Sequence, residues 1–216
     1  MSVTFFAAIS RMKYIERWAL MRSSRPENLS EHAMEVAMIA HALCTIGNVR
    51  CGKNLNADRA AVIGLFHDAS EIITGDMPTP VKYYSETIRD AYKEVEAVAE
   101  DRLLSRLPEE LRPVYQDIFG REASPAPGAS PASDVVSAPD PALLSEQYLR
   151  RLVKAADKLS ALIKCIEEEN AGNTEFRTAK KTIRAAVDRL CEELPEVRIF
   201  RDECLPPYGH TLDELS

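Results

Sequence analysis

Apolar residues along this chain recur at helical spacing, and strand-like alternation of Val, Ile and Thr is nearly absent. The pattern predicts an all-α protein. Asn28, followed three residues later by Glu31, has the form of a capping box and should open a helix running to about Gly47. A second helix is expected over about 57–73. It would carry Val62, Ile63, Leu65 and Phe66, with Gly75 just past its end. Two prolines exclude Asp76-Met77-Pro78-Thr79-Pro80 from a helix interior, so an ordered turn or loop is expected there. Further helices are expected over 85–106, 108–119, 145–170 and 173–193. In the third of these, apolar residues at 149, 152, 153, 156, 163 and 166 mark a buried stripe.

One stretch breaks the pattern. From about 120 to 142 the chain is rich in Pro, Ala and Ser (GREASPAPGASPASDVVSAPDP), a composition that buries little apolar surface. It reads as a flexible surface insertion between two helices of a single domain, because residues on both sides of it are needed for one site. The 216 residues, 45% hydrophobic and 28% charged, suit one substantial core. No apolar run is long enough to cross a bilayer, and the N-terminus lacks the basic region of a signal peptide. A cytoplasmic protein with no membrane partner is expected. The cysteines at 44, 51, 165, 191 and 204 form no Cys-x-x-Cys pair, so buried or half-buried free thiols are expected. A net charge of −7 argues against a nucleic-acid polymer as partner. A small phosphorylated substrate remains open, since one arginine and a metal ion can supply local positive charge.

The candidate chemistry starts at His67-Asp68. Aspartate is a poor helix former and costly to bury unpaired, so a vicinal pair within an apolar helix is unusual. Alone it is a weak signal, because a hydrogen-bonded surface or cap pair has the same sequence. His32, in the opening turn of the preceding helix, adds a second imidazole. His41, nine residues later, lies about 180° around that helix from His32 and cannot serve the same site. Asp157 follows Val153 by four residues and so lies at or beside the buried stripe, where a carboxylate needs a cation, a donor set or a metal. Two imidazoles and two carboxylates form a mixed nitrogen–oxygen set. It suits one divalent ion such as manganese, iron, cobalt, nickel or zinc better than calcium or magnesium.

The series His32…His67-Asp68…Asp157 resembles the H…HD…D signature of the HD superfamily, all-α metal-dependent phosphohydrolases. Sharper matches resemble the YfbR-type 5′-deoxynucleotidases. They are Arg17-Trp18-Ala19-Leu20-Met21-Arg22, Asn28-Leu29-Ser30-Glu31-His32, His67-Asp68-Ala69-Ser70-Glu71, the run from Thr74 to Tyr83, and Leu152-Val153-Lys154-Ala155-Ala156-Asp157. The likeness spans nearly the whole chain apart from the insertion. It implies a homodimeric, single-domain HD fold that hydrolyses deoxyribonucleoside 5′-monophosphates to deoxyribonucleoside and phosphate. It further implies that His32, His67, Asp68 and Asp157 are metal ligands and that Glu71 is a catalytic carboxylate. Asp76 would contact substrate or the attacking water, Arg17 would bind the phosphate, and Trp18 would pack on the deoxyribose and exclude a 2′-hydroxyl. Each has a plainer alternative: a solvated Glu71, a turn-forming Asp76, a surface ion pair for Arg17, a core position for Trp18. Thr79 and Lys82 are further candidates to neighbour the phosphate. A dNTP or alarmone hydrolase of the same superfamily is the first rival. Such substrates should need several cations near the site, and Arg17, Arg22, Arg25 and Lys82 are few. A non-catalytic nucleotide-sensing HD module is the second rival, and the intact set with Glu71 argues against it.

Overall fold

A computed structural model describes residues 2–82, 84–120 and 141–216, with side chains of the last segment described from residue 145. The elements are α1 (Phe5–Ile9), a 3₁₀ turn (Ser10–Tyr14), α2 (Leu29–Arg50), α3 (Ala57–Phe66), α4 (Glu71–Thr74), α5 (Thr79–Lys82), α6 (Glu86–Leu104), α7 (Arg112–Phe119), α8 (Pro141–Asn170), α9 (Arg177–Glu193) and α10 (Pro195–Ile199). A π turn (Phe200–Cys204) and two 3₁₀ turns follow. Among the described residues there is no strand, only an isolated antiparallel bridge between Glu16 and Asn28. The all-α expectation holds. No helix among the described residues is long and apolar enough to cross a membrane.

The core forms where α2, α3 and α8 pack together, closed on one side by α9 and α10. Both imidazoles of the series depend on how closely α2 and α3 approach. A Cβ on Gly64 would lie 2.9 Å from the Ala37 Cα, so α3 can sit this near α2 only with glycine at that position. The expected stripe on α8 is buried at Leu149, Leu152, Val153, Ala156 and Ile163, with Ile166 half-buried at its end. Asn28 caps α2 as expected: its side chain accepts from the Ser30 and Glu31 N–H groups while Glu31 reaches back to the Asn28 N–H.

The structure corrects several boundaries. The helix expected over 57–73 stops at Phe66, so His67 and Asp68 lie on its exit rather than in its interior. The carbonyl of Gly64, which a continuing helix would offer to the Asp68 N–H, accepts from His67 Nδ1 at 2.8 Å. Tighter bonds, Ala69 N–H to Phe66 O and Glu71 N–H to Asp68 O, then turn the chain before α4. Gly75 ends α4 at φ 74°, in the left-handed region. Thr79 and Pro80, expected in a loop, open α5. Proline is tolerated there because a first turn needs no N–H partner. α2 runs three residues further than expected, α7 starts at Arg112, α8 at Pro141 and α9 at Arg177. Most of the Pro/Ala/Ser-rich insertion, 121–140, lies outside the described residues. The free cysteines are buried (Cys44, Cys165, Cys191) or half-buried (Cys51, Cys204). Burial pushes the Cys44 and Cys165 thiols up to about 12, which leaves them unreactive.

Candidate active site

His32 is fully buried in the first turn of α2. Its Nδ1 lies 2.9 Å from the Ser160 hydroxyl on α8, and that hydroxyl donates at 2.6 Å to Glu35, one turn further along α2. A hydroxyl has one proton; with that proton given to Glu35, it accepts from Nδ1–H. Nε2 is therefore the ring nitrogen left to face the site. His67 reaches the same state by another route, since its Nδ1–H is spent on the Gly64 carbonyl. Both Nε2 atoms are buried without a hydrogen-bond partner. Their rings stand 5.2 Å apart, centroid to centroid.

Carboxylates enter the space between them. Asp68 Oδ2 is 3.0 Å from His67 Nε2 and 3.6 Å from His32 Nε2, and Asp157 Oδ1 is 3.3 Å from His32 Nε2. Ligand atoms of His32, His67 and Asp68 lie within 4.8 Å of one another. Asp157 joins them through its approach to His32, while Lys158 holds its other oxygen at 2.9 Å. Two imidazole Nε2 atoms converging with two carboxylates form a mixed nitrogen–oxygen set suited to a divalent transition ion. The residues fit the implied metal.

The electrostatics agree. Burial disfavours charge on His67, yet Asp68 and Asp157 outweigh it and raise the imidazole to about 9. Burial works against Asp157 too, but His32, Lys158 and His67 hold it well below the usual carboxylate range. His32 goes the other way, lowered by burial and by Arg17. In the absence of a metal the cluster keeps a proton that an arriving cation must displace.

The other candidates border this cluster. Glu71, at the start of α4, is 8% exposed, and its Oε2 is buried with no hydrogen-bond partner. Burial, Asp68 and Asp76 push its carboxyl up to about 9, against smaller opposing effects of Arg17 and Lys82. Residues 15–28 form a strap closed by the Glu16–Asn28 bridge, with Arg17 N–H bonded to Glu27 O and Leu29 N–H to Ile15 O. Arg17 is about nine-tenths buried and pairs with Glu27 at 3.0 Å, while its Nε has no partner. Burial opposes its charge, but Glu27, Asp157, Asp68 and Asp76 together hold its pKa above the ordinary value. Trp18 is half-buried rather than core. Its backbone N–H donates to Asp76 at 3.1 Å and its ring packs on Phe176 at 5.3 Å.

The match to known proteins decides the family. A family model described as 5′-deoxynucleotidase YfbR-like matches residues 4–208. A 5′-deoxynucleotidase of Shewanella oneidensis is 41% identical over 211 residues, covering 98% of this chain and 96% of that protein. The 5′-deoxynucleotidase YfbR of Escherichia coli is 41% identical over 212 residues, covering 98% and 95%. The chain belongs to the YfbR-like 5′-deoxynucleotidase family. Among solved structures, an HD-domain phosphohydrolase of Listeria innocua superposes with a TM-score of 0.73 at 23% identity, covering 95% of this chain and 88% of its own. The fold is therefore the helical HD fold.

For a YfbR-like protein the remaining candidates divide clearly. His41 is exposed beside Asp58 at 3.7 Å, as its helical position requires. Arg22, Arg25 and Lys82 are spent on Glu175, Glu31 and Glu96. A groove of about 790 Å³ opens next to His67, Asp68 and Asp157, and Arg150, Lys154, Lys158 and Arg189 line it. The sequence reading overlooked those cations. It also missed Ser160 and Glu35, although each follows a candidate ligand by three residues and so shares its helical face. Glu27 carried no comparable signal: it lies ten residues from Arg17 in a segment without helical period.

Proposed function

We propose that this protein is a metal-dependent 5′-deoxynucleotidase, converting deoxyribonucleoside 5′-monophosphates and water to deoxyribonucleoside and phosphate. The observation that carries this reading is the convergence of two imidazole Nε2 atoms and two carboxylates beside Arg17 and Trp18, in a chain of this family. His32, His67, Asp68 and Asp157 would hold one divalent ion, which supplies Lewis acidity toward phosphoryl oxygen and makes water a better nucleophile near neutral pH. Arg17 binds the phosphate with the guanidinium edge that Glu27 leaves free. Glu71, whose carboxyl burial and Asp68 push toward the protonated form, would give a proton to the 5′-oxygen as the P–O bond breaks, while Asp76 would take the proton of the attacking water. Asp76 holds the Trp18 backbone and faces the attacking water. The Trp18 indole lies along the deoxyribose and leaves no room for a 2′-hydroxyl. The same family reading carries a cytoplasmic location and a homodimer, and light scattering on the purified protein checks the homodimer.

The cation-lined groove supports a second reading, in which a triphosphate is the substrate. It is the weaker one. Arg150 is committed to Glu146 and to the Asp117 and Ile118 carbonyls, and Lys158 to Asp157, so much of that charge is already used. Phosphate release from matched mono- and triphosphates, deoxy and ribo, distinguishes the readings. Release of orthophosphate from dNMPs supports the first, and release of pyrophosphate or triphosphate from dNTPs the second.

A further inference from the structure

The strap presents Arg17 and Trp18 as neighbours in sequence, but one carboxylate oxygen holds both. Glu27 Oε2 accepts from Arg17 Nη1 at 3.0 Å and from Trp18 Nε1 at 2.9 Å, and the Glu27 side chain is 12% exposed. We infer that Glu27 is a positioning residue that locks the phosphate-binding arginine and the sugar-facing tryptophan into one unit, so that discrimination between deoxyribose and ribose depends on it. This inference rests on the roles proposed above for Arg17 and Trp18.

Three features make Glu27 the keystone. First, Trp18 has φ 61°, a conformation that a bulky side chain adopts only when its surroundings impose it. Asp76 fixes its backbone N–H, and among the described residues the indole N–H makes its hydrogen bond to Glu27, which sets the rotation of the ring about its side-chain axis. Phe176, tilted at 60° to the indole, offers a surface and no directional lock. A wall against a 2′-hydroxyl discriminates only as far as it is rigid.

Second, Arg17 stands among Asp68, Asp76 and Asp157, all attractive to it. Without Glu27 its nearest partners become those carboxylates, and it would swing onto groups reserved for the metal and the water. Glu27 anchors one edge of the guanidinium, and the buried, unpartnered Nε shows that the opposite side of the group is not tied down by the protein.

Third, the strap is pinned from behind. Glu168, fully buried on α8, accepts from the Ser24 and Arg25 N–H groups at 2.8 and 3.4 Å and from Asn173 at 2.7 Å, and Lys164 donates to Arg25 O at 2.6 Å. Glu27 therefore sits between the pinned residues 24 and 25 and the Glu16–Asn28 bridge, directly across the strap from Arg17.

The test compares wild type with Glu27→Gln, Glu27→Asp and Trp18→Ala. Two readouts are taken: the ratio of kcat/KM for dAMP over AMP, and the emission and acrylamide quenching of the protein's single tryptophan. Glutamine removes the charge that Arg17 pairs with, and aspartate keeps the charge but is too short to reach both donors. Either one decides the matter if the other does not fold. Loss of one such bond should lower the dAMP/AMP ratio about tenfold, mostly through a lower KM for AMP as the wall gives way. Emission should move to longer wavelength and quenching should rise as the indole comes loose. Equal losses on dAMP and AMP, with the ratio unchanged, would mean ordinary structural support and overturn the inference. If the ratio falls in Trp18→Ala but not in either Glu27 variant, Glu27 is refuted and the sugar wall stands. If the ratio is unchanged in Trp18→Ala as well, the sugar wall and the inference fail together.

Discussion

The His/Asp cluster and the strap beside it solve the same problem, placing side chains to a fraction of an ångström, by opposite means. His32 and Asp157 stand on the two longest helices described, and His67 and Asp68 stand on the exit of α3, itself pressed onto α2 at Gly64. Backbone hydrogen bonds and core packing fix their positions. Each imidazole then needs one further bond, from Ser160 or the Gly64 carbonyl, to set its tautomer. The strap has no regular backbone to rely on. Its geometry comes from buried carboxylates, Glu27 and Glu168, that gather donors dispersed along 17–25. Helices supply position cheaply in sequence terms, whereas an irregular segment must be held by long-range side-chain bonds.

The largest effect should come from breaking the helical half. Asp157→Ala removes a proposed anionic ligand, and metal affinity and turnover should both fall by more than about 100-fold, beyond what loss of an outer partner costs. Metal content after dialysis and phosphate release from dAMP check this, and wild-type values of both would remove Asp157 from the cluster. Glu71→Gln should separate the functions: metal is retained while kcat falls by about 100-fold or more, the usual scale for a missing proton donor. Metal loss in step with activity would make Glu71 a ligand instead.

Ser160→Ala probes the bond behind His32. It should weaken metal binding by about 10- to 100-fold while leaving the dAMP/AMP ratio unchanged, the reverse of the pattern expected for Glu27. A metal titration followed by the two-substrate assay reads both, and a changed ratio with unchanged metal affinity would undo the division between the two regions.

The smallest expected effect is one of pH. Burial, with Asp68 and Asp76, raises the Glu71 carboxyl from its usual range to about 9. The stability this group contributes is therefore complete below its unfolded pKa and is lost as pH climbs toward 9. Glu71→Gln cannot ionise, so the melting temperature of the metal-free variant should gain on wild type by about 3 °C or more between pH 5 and 9, near 1 kcal/mol for a domain of this size. A gap that is constant with pH would place the Glu71 carboxyl in water.

The same contrast explains what could be read from the sequence. His32 and His67-Asp68 became candidates through their order in the H…HD…D series, whereas Asp157 stood out because a helix keeps its apolar stripe in register and a carboxylate beside it breaks the pattern. The helical fold was legible for the same reason. The end of α3 was not, because His67 itself takes the Gly64 carbonyl, and a side chain that ends a helix looks the same in sequence as one inside it. Glu27 was invisible because its partners are set by how the strap closes. The groove cations on α8 and α9 were overlooked because two helices far apart in the chain bring them together.

The central claim is that the helical cluster is a metal centre serving a deoxynucleotide phosphate. The most direct measurement is phosphate release from dAMP and AMP by the purified protein, before and after chelation and after adding back manganese, cobalt or zinc. The account predicts release from dAMP well above that from AMP, its loss on chelation, and its return with at least one of these ions. Hydrolysis that survives complete chelation, or a protein that releases phosphate from neither substrate with any ion, would contradict it.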